Sequence, residues 1–205
     1  MLNYSDLAPE KKAFVFELDN VLYPQQDYLL QVYYLFANFL AYTETLPPAK
    51  DLLEFLKLTY LADGPEDIFA KAAVAFDIDK KYEENFNRLH VSAKLPLPLL
   101  LYPPVLNLLH AISNDQKSIF ILTKGNPLMQ LNKLKYIKWE GLEKKLKVYF
   151  YDELKLIAGM EPLDYIIHEN KLETNTVLLI GNSKIGCQDE EKLNIDFLDV
   201  SHLLA

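Results

Sequence analysis

Short apolar runs separated by helical segments constrain the fold of this chain more than any other feature. Each run is apolar at successive rather than alternate positions, which is typical of strands covered on both faces of a parallel sheet. The four clearest runs are residues 13–16, 119–122, 148–151 and 177–180, and residues 197–200 form a weaker fifth.

Helical segments lie between the later runs, at residues 104–112, 127–136, 154–159, 163–170 and 187–193. Asn126 and Pro127 favour the N-cap and the first position of the second segment. Strands that alternate with helices predict right-handed crossovers. The expected fold is therefore an α/β domain with a doubly wound, mainly parallel, Rossmann-like sheet.

Between the first two runs lies a long stretch without a convincing strand. Apolar residues recur there at helical spacing in four segments, which Pro47-Pro48, Gly64-Pro65, Pro96 and Pro98 separate. We expect an inserted four-helix cap at residues 25–96, with a core domain at residues 1–24 and 97–205. The many aromatic residues of the first segment are interpreted as packing within the bundle; they are Tyr28, Tyr33, Tyr34, Phe36, Phe39 and Tyr42.

Charge and composition exclude several classes of protein. The formal net charge of −8 disfavours a nucleic-acid partner, because binding to a phosphate backbone needs a basic face. The one basic stretch, the lysines at positions 133–147 around Trp139, is interpreted as a solvated face. No apolar segment approaches the ~20 residues of a spanning helix, and the single Cys187 is consistent with a reducing compartment. These features predict a cytoplasmic protein without a membrane partner, and they leave the oligomeric state open.

Polar residues follow four of the predicted strands, at the edge where parallel sheets bind ligands. Two carboxylates separated by one residue are suited to Mg²⁺ binding and acid–base chemistry. A threonine followed by a glycine-containing loop and a helix N-terminus is suited to phosphate. These residues are Glu17 and Asp19 after the first strand, Thr123, Lys124, Gly125 and Asn126 after the second, Asp152 and Glu153 after the third, and Gly181, Asn182 and Ser183 after the fourth.

Three of these segments together resemble the haloacid dehalogenase superfamily of hydrolases. Residues 14–24, FVFELDNVLYP, resemble its first motif and are similar to its nucleotidase-like phosphatases in the Leu-Tyr-Pro continuation. Residues 121–126, ILTKGN, resemble the second motif, and Gly181-Asn182-Ser183 resembles the fourth.

The resemblance implies a phosphohydrolase with a helical cap and a magnesium cofactor. It implies that Asp19 is the acid–base residue and that Glu17 occupies the position of the attacking carboxylate. It also implies a phosphate site at Thr123, Lys124, Gly125 and Asn126, and metal ligands at Glu17, Asp19 and Asn182.

Three positions depart from the motifs of the superfamily. Glu17 replaces an attacking aspartate, and its carboxylate reaches about one C–C bond further. In-line attack tolerates little displacement of the attacking atom, since a shift of about 1 Å costs roughly a hundredfold in rate. Met160 or Glu161 stands where the third motif has a lysine, and the loss of one such charged group typically costs about 10²–10³ in rate. Cys187 replaces an acidic ligand, and its neutral thiol is one that magnesium avoids. Lys124 or Lys155 is a candidate replacement for the missing lysine from another direction.

The sequence therefore predicts a haloacid dehalogenase-like homologue with a degenerate phosphotransfer site. We expect it to be inactive or very weak as a phosphatase, to bind a phosphorylated small molecule, and to bind magnesium weakly or not at all. Two alternatives stay open. One is an active, nucleotidase-like, magnesium-dependent phosphomonoester hydrolase in which Glu17 acts as a base, and the other is a non-enzymatic scaffold or interaction domain.

Overall fold

The computed structural model describes residues 4, 7, 9–182 and 195–204. Three sequence-based predictions lie outside these residues: the helix at 187–193, Ser183 of the fourth motif, and the altered position Cys187. Within the described residues, no helix has both the length and the apolar character needed to cross a bilayer.

A parallel sheet organises the part of the chain that contains the predicted strands. In chain order the strands are β1 (Ala13–Phe16), β2 (Leu99–Leu100), β3 (Ser118–Thr123), β4 (Ile137–Lys138), β5 (Leu146–Phe150), β6 (Val177–Gly181) and β7 (Asp196–Asp199). Among the described residues, five of them form one sheet in the order β5-β3-β1-β6-β7, and every neighbouring pair is parallel. The predicted doubly wound, mainly parallel sheet is thereby confirmed. The short strands β2 and β4 pair separately, also in parallel.

Four helices fill the insertion after β1, as the sequence predicts. They are α1 (Gln25–Glu44), α2 (Ala49–Asp63), α3 (Ile68–Phe76) and α4 (Glu83–Ser92), with one 3₁₀ turn at Lys80–Tyr82 before α4. The later helices are α5 (Pro103–Asn114), α6 (Pro127–Tyr136), α7 (Tyr151–Ala158), α8 (Pro162–Glu169) and α9 (Ser201–Leu204), with a 3₁₀ turn at Thr174–Thr176.

The chain forms two compact units. The sheet unit comprises Met1–Gln25, Leu99–Gln130 and Ile137–Ala205, and the helical unit comprises Gln26–Pro98 and Leu131–Tyr136. The second half of α6 thus groups with the inserted helices, which the sequence did not indicate.

The core of the sheet unit explains why its strands are apolar at successive positions. Side chains alternate between the two faces of a strand, and here both faces are buried. On one face, Ala13 and Val15 of β1 pack with neighbouring strands and with Leu163 and Ile166 of α8. Phe14 and Phe16, which point to the other face, are fully buried as well.

The core of the helical unit is largely aromatic. Its fully buried residues include Tyr28, Tyr33 and Phe36 of α1, and the rings of Phe36 and Phe86 meet edge to face with their centroids 5.0 Å apart. Tyr34 and Tyr42 are exposed, so the interpretation of these two rings as packing within the bundle is wrong. The spacing of the buried aromatics follows the helical period, so the first segment buries one face.

Candidate functional site

The ends of β1, β3, β5 and β6 form one edge of the sheet unit. The register pairs Phe16 with Ile121 on one side and with Ile180 on the other. It also pairs Thr123 with Phe150. The residues that follow these strands therefore emerge side by side, and this edge holds the residues that the sequence predicted as a site.

Glu17 continues β1 by one residue and lies against the end of β6. Its backbone N–H donates to the Ile180 carbonyl at 3.0 Å, and its Oε2 accepts from the Asn182 N–H at 3.0 Å. A Cβ built on Gly181 would lie 2.9 Å from Oε2 and 3.0 Å from Cδ of Glu17. The carboxylate thus occupies space that only a glycine at position 181 leaves open.

A Gly181→Ala variant is expected to lose about 1–3 kcal/mol of unfolding free energy, because a methyl group would overpack a buried position. The new carbon would meet the Glu17 carboxylate and, at 3.1 Å, Cε2 of the Phe197 ring. Urea unfolding followed by the fluorescence of the single tryptophan, Trp139, measures the loss.

Two controls separate this clash from a general cost of substitution. Ser118→Ala, at the exposed start of β3, is expected to change the unfolding free energy by less than about 0.5 kcal/mol. Glu17→Ala in the Gly181→Ala background should recover part of the loss, since it removes one clashing group. Equal stability of Gly181→Ala and wild type would contradict the packing described for Glu17.

Asp19 sits in a tight turn and accepts hydrogen bonds at both oxygens. The turn is closed by the Asn20 N–H, which donates to the Tyr23 carbonyl at 3.0 Å, and Asn20 has a left-handed φ of 60°. Oδ1 accepts from the Tyr23 hydroxyl at 2.8 Å, and Oδ2 accepts from Nε2 of Gln130 at 3.2 Å. The side chain of the proposed acid–base residue is therefore fixed in orientation by two donors.

Gln130 links this turn to the loop after β3. It is 2% exposed, and its Nε2 also donates to the Lys124 carbonyl at 2.5 Å. Its Oε1 is buried and has no hydrogen-bond partner among the described residues. Because Nε2 faces two acceptors, the amide cannot be reversed without losing both bonds.

The loop after β3 has the local structure that its sequence predicts. Gly125 has a φ of +108°, which favours glycine, and its N–H donates to Oδ2 of Asp152 at 2.7 Å. Oδ1 of Asn126 accepts from the N–H groups of Leu128 and Met129, so Asn126 caps α6 as expected. Thr123, at 2% exposure, closes β3.

The end of the third predicted strand needs a correction. β5 ends at Phe150, and Tyr151 is already the first residue of α7, so Asp152 and Glu153 lie in the first turn of that helix rather than in a loop. The apolar run at residues 148–151 hides this boundary, because Tyr151 is buried like a strand residue. Acidic residues in a first turn are favoured by the helix dipole.

The altered third motif lies at the start of α8. Met160 is exposed, and Glu161 directly precedes Pro162, the first residue of the helix. The Glu161 carboxylate lies 3.7 Å from the ammonium of Lys155 on α7. Neither Met160 nor Glu161 provides a cation, but Lys155 places one beside them.

Comparisons with known proteins identify solved structures with a similar fold. No family model and no curated protein matches the chain. Solved structures do match: a candidate beta-phosphoglucomutase from Thermotoga maritima is 15% identical with a TM-score of 0.57, covering 94% of this chain and 96% of that one. A candidate hydrolase, YfnB from Bacillus subtilis, solved with bound magnesium, is 14% identical with a TM-score of 0.56, covering 91% and 87%. A haloacid dehalogenase-like family hydrolase from Xanthomonas campestris is 17% identical with a TM-score of 0.53, covering 92% and 80%.

The chain has the haloacid dehalogenase-like fold. The segments that resemble three motifs of that superfamily each include the end of a strand of the sheet, and the helical insertion follows β1. The roles assigned to single residues stay predictions.

Magnesium is the cofactor that a haloacid dehalogenase-like fold implies, and the described residues can be tested for it. Among them, no group of three His, Cys, Asp or Glu side chains is placed to hold a metal ion. Oε2 of Glu17 and both oxygens of Asp19 already accept hydrogen bonds. The described residues therefore do not supply a preformed magnesium site.

Two residues of this candidate site were missed by the sequence analysis. Tyr23 and Gln130 both donate to Asp19, one from the same turn and one from α6. Tyr23 was visible only as part of the Leu-Tyr-Pro continuation. Gln130 gave no signal beyond its place in the first turn of a helix that follows a candidate phosphate loop.

Proposed function

We propose that this chain is a haloacid dehalogenase-like protein that binds a phosphorylated small molecule and transfers its phosphoryl group very slowly or not at all. We further propose that it binds magnesium weakly or not at all and acts in the cytoplasm. The observation that carries the proposal is the position of Glu17, whose carboxylate is held against the end of β6.

The Glu17 carboxylate is poorly placed to attack phosphorus. Attack requires an oxygen about 3–3.5 Å from phosphorus and in line with the leaving group. Here one oxygen accepts the Asn182 N–H, and a Cβ built on Gly181 would lie only 3.0 Å from the carboxyl carbon. Turning this side chain toward a ligand would break that hydrogen bond, and the extra methylene of glutamate would still displace the reacting atom.

The remaining groups support binding more than catalysis. Thr123 closes β3, and the loop that follows is fixed by the Asp152, Asn126 and Gln130 side chains. Asp19 is held by Tyr23 and Gln130, which keeps its carboxylate in one orientation. A loop that is already ordered can bind a ligand without the entropy cost of loop ordering.

Wild-type protein is expected to hydrolyse p-nitrophenyl phosphate with magnesium at least about 10³-fold more slowly than an active phosphatase of this fold. The altered nucleophile and the altered third motif are each expected to lower the rate by roughly 10²–10³-fold, and the two losses do not combine additively. Glu17→Asp is expected to raise the rate by less than about tenfold, because Glu161 remains. Stopped assays for released phosphate measure both rates, and far-UV circular dichroism checks the fold of the variant.

Asp19→Asn is the control for contaminating activity, because it keeps the shape of the side chain and removes its acid–base function. Rapid, magnesium-dependent turnover by wild type that Asp19→Asn abolishes would establish the active hydrolase instead. A phosphorylated Glu17 trapped during turnover would have the same meaning. Failure of wild type to bind inorganic phosphate in calorimetry would remove the binding part of the proposal.

A further inference from the structure

Two lysine side chains converge on one aromatic ring at the carboxyl edge of the sheet unit. The ammonium of Lys124 lies 5.2 Å from the centroid of the Tyr151 ring, and that of Lys155 lies 5.8 Å from it. Both distances are within the range of cation–π attraction. Tyr151 is buried, whereas both lysines are exposed.

The backbone explains why these three residues meet. Thr123 pairs with Phe150 at the ends of β3 and β5, so Lys124 and Tyr151 are the residues that directly follow two adjacent strands. Lys155 follows Tyr151 by one helical turn on α7. Side chains of a helix lean toward its N-terminus, and the N-terminus of α7 lies at the carboxyl edge. The contact of the Lys155 ammonium with the Tyr151 ring places the charge near this end of α7.

Glu161 holds Lys155 near the altered third motif. The two charged groups are 3.7 Å apart, and Oε2 of Glu161 is buried without a hydrogen-bond donor among the described residues. The Glu161 carboxylate therefore attracts the Lys155 ammonium by charge, but it does not form a short hydrogen bond with it. An anion at the loop would therefore compete with Glu161 for Lys155.

We propose that Lys155 binds the anionic group of the ligand and thereby replaces, from α7, the lysine that is absent at positions 160 and 161. Lys124 is the second cation of this site, and Glu161 is the internal counter-ion that weakens ligand binding in the resting protein. The ligand class is a phosphate monoester or free phosphate. This inference rests on the proposed function, because it names residues that would contact the phosphoryl group.

Calorimetric titration with inorganic phosphate tests the inference in the full-length protein. Lys155→Met is expected to weaken phosphate binding about tenfold, because it removes a charge in direct contact with the anion. Lys155→Arg should keep binding within a few fold of wild type. Glu161→Gln should strengthen binding about three- to tenfold, and the gain should vanish in the Glu161→Gln/Lys155→Met double variant.

Two matched variants control for net charge. Lys144→Met changes an exposed lysine of the same unit, and Glu153→Gln changes an exposed acidic residue of α7. Both are expected to bind phosphate within about twofold of wild type, since screening weakens charges that do not contact the ligand. Far-UV circular dichroism excludes unfolding as a cause of lost binding.

The outcomes separate this inference from the proposed function. If wild type and Lys155→Met bind phosphate equally, the inference is wrong and the proposed function stands. A second outcome is that wild type and Glu161→Gln/Lys155→Met do not bind phosphate, whereas Glu161→Gln does. In that case the inference stands and the proposed ligand binding of wild type fails. If neither wild type nor Glu161→Gln binds phosphate, the inference is overturned.

Discussion

A Phe36→Ala variant is expected to lose about 3–5 kcal/mol of unfolding free energy from the helical unit, the range typical of a buried phenylalanine. Phe36 is 0% exposed. Its ring lies 6.0 Å from that of Phe69 on α3 and 5.0 Å from that of Phe86 on α4, centroid to centroid. Removal of the ring would leave a cavity where three helices meet.

Urea unfolding followed by far-UV circular dichroism measures this loss, because the helical unit contains the helices α1 to α4. Trp139 belongs to the sheet unit, so its fluorescence follows that unit separately. Tyr42→Ala is the matched control, since it removes an aromatic ring of the same helix that is 93% exposed. The control is expected to change stability by less than about 0.5 kcal/mol. Equal effects of the two substitutions would contradict the aromatic core.

The sequence predicted features that depend on local periodicity. Successive apolar residues at 13–16 and 177–180 marked strands buried on both faces, and the observed strands begin at those residues. Helical spacing separated the buried Phe36 from the exposed positions of α1. These predictions succeed because burial on a strand or helix follows a fixed period that one segment displays by itself.

Features that depend on long-range pairing could not be predicted in the same way. Gln130 donates to Asp19 across 111 positions of the sequence, and the Gly125 N–H donates to Asp152 across 27. Such contacts follow from the order of strands in the sheet, which no local pattern specifies. The structure is therefore needed to recognise Gln130 and Asp152 as parts of the site.

Lys133 shows where a composition-based interpretation was wrong. It was included in the solvated basic stretch around Trp139, yet its side chain is 0% exposed, whereas Lys135, Lys138 and Lys144 are exposed. Its ammonium lies 5.4 Å from the centroid of the Tyr28 ring within the helical unit. The aliphatic part of a lysine side chain can be buried when an aromatic ring faces the ammonium group. A count of charges along the sequence does not show where this happens.

Acidification is expected to destabilise the helical unit through His90, which lies near Lys133. Burial, and secondly the charge of Lys133, lower the pKa of His90 to about 4, against about 6.5 in an unfolded chain. The ring contacts Phe86 and Tyr33, with centroids 4.6 and 5.9 Å away, and Nε2 is buried without a hydrogen-bond partner among the described residues. Protonation would place a charge among these rings.

The direction of the effect follows from proton binding. Between pH 6.5 and 4 the unfolded chain binds a proton at this position and the folded chain does not, so the contribution of His90 is fully present above pH 6.5. It falls as the pH drops toward the folded pKa of about 4, by up to about 3 kcal/mol. Urea unfolding at pH 7, 5.5 and 4.5, followed by circular dichroism, measures this loss.

His90→Phe keeps a ring of similar shape against Phe86 and cannot titrate. It is expected to lose less stability than wild type between pH 7 and 4.5, since carboxylates elsewhere titrate alike in both proteins and cancel in the comparison. If the unfolding free energies of wild type and His90→Phe change with pH in parallel, His90 is not buried as a neutral ring. A solvated imidazole would accept its proton in the folded and in the unfolded chain, so it would not contribute to the pH dependence.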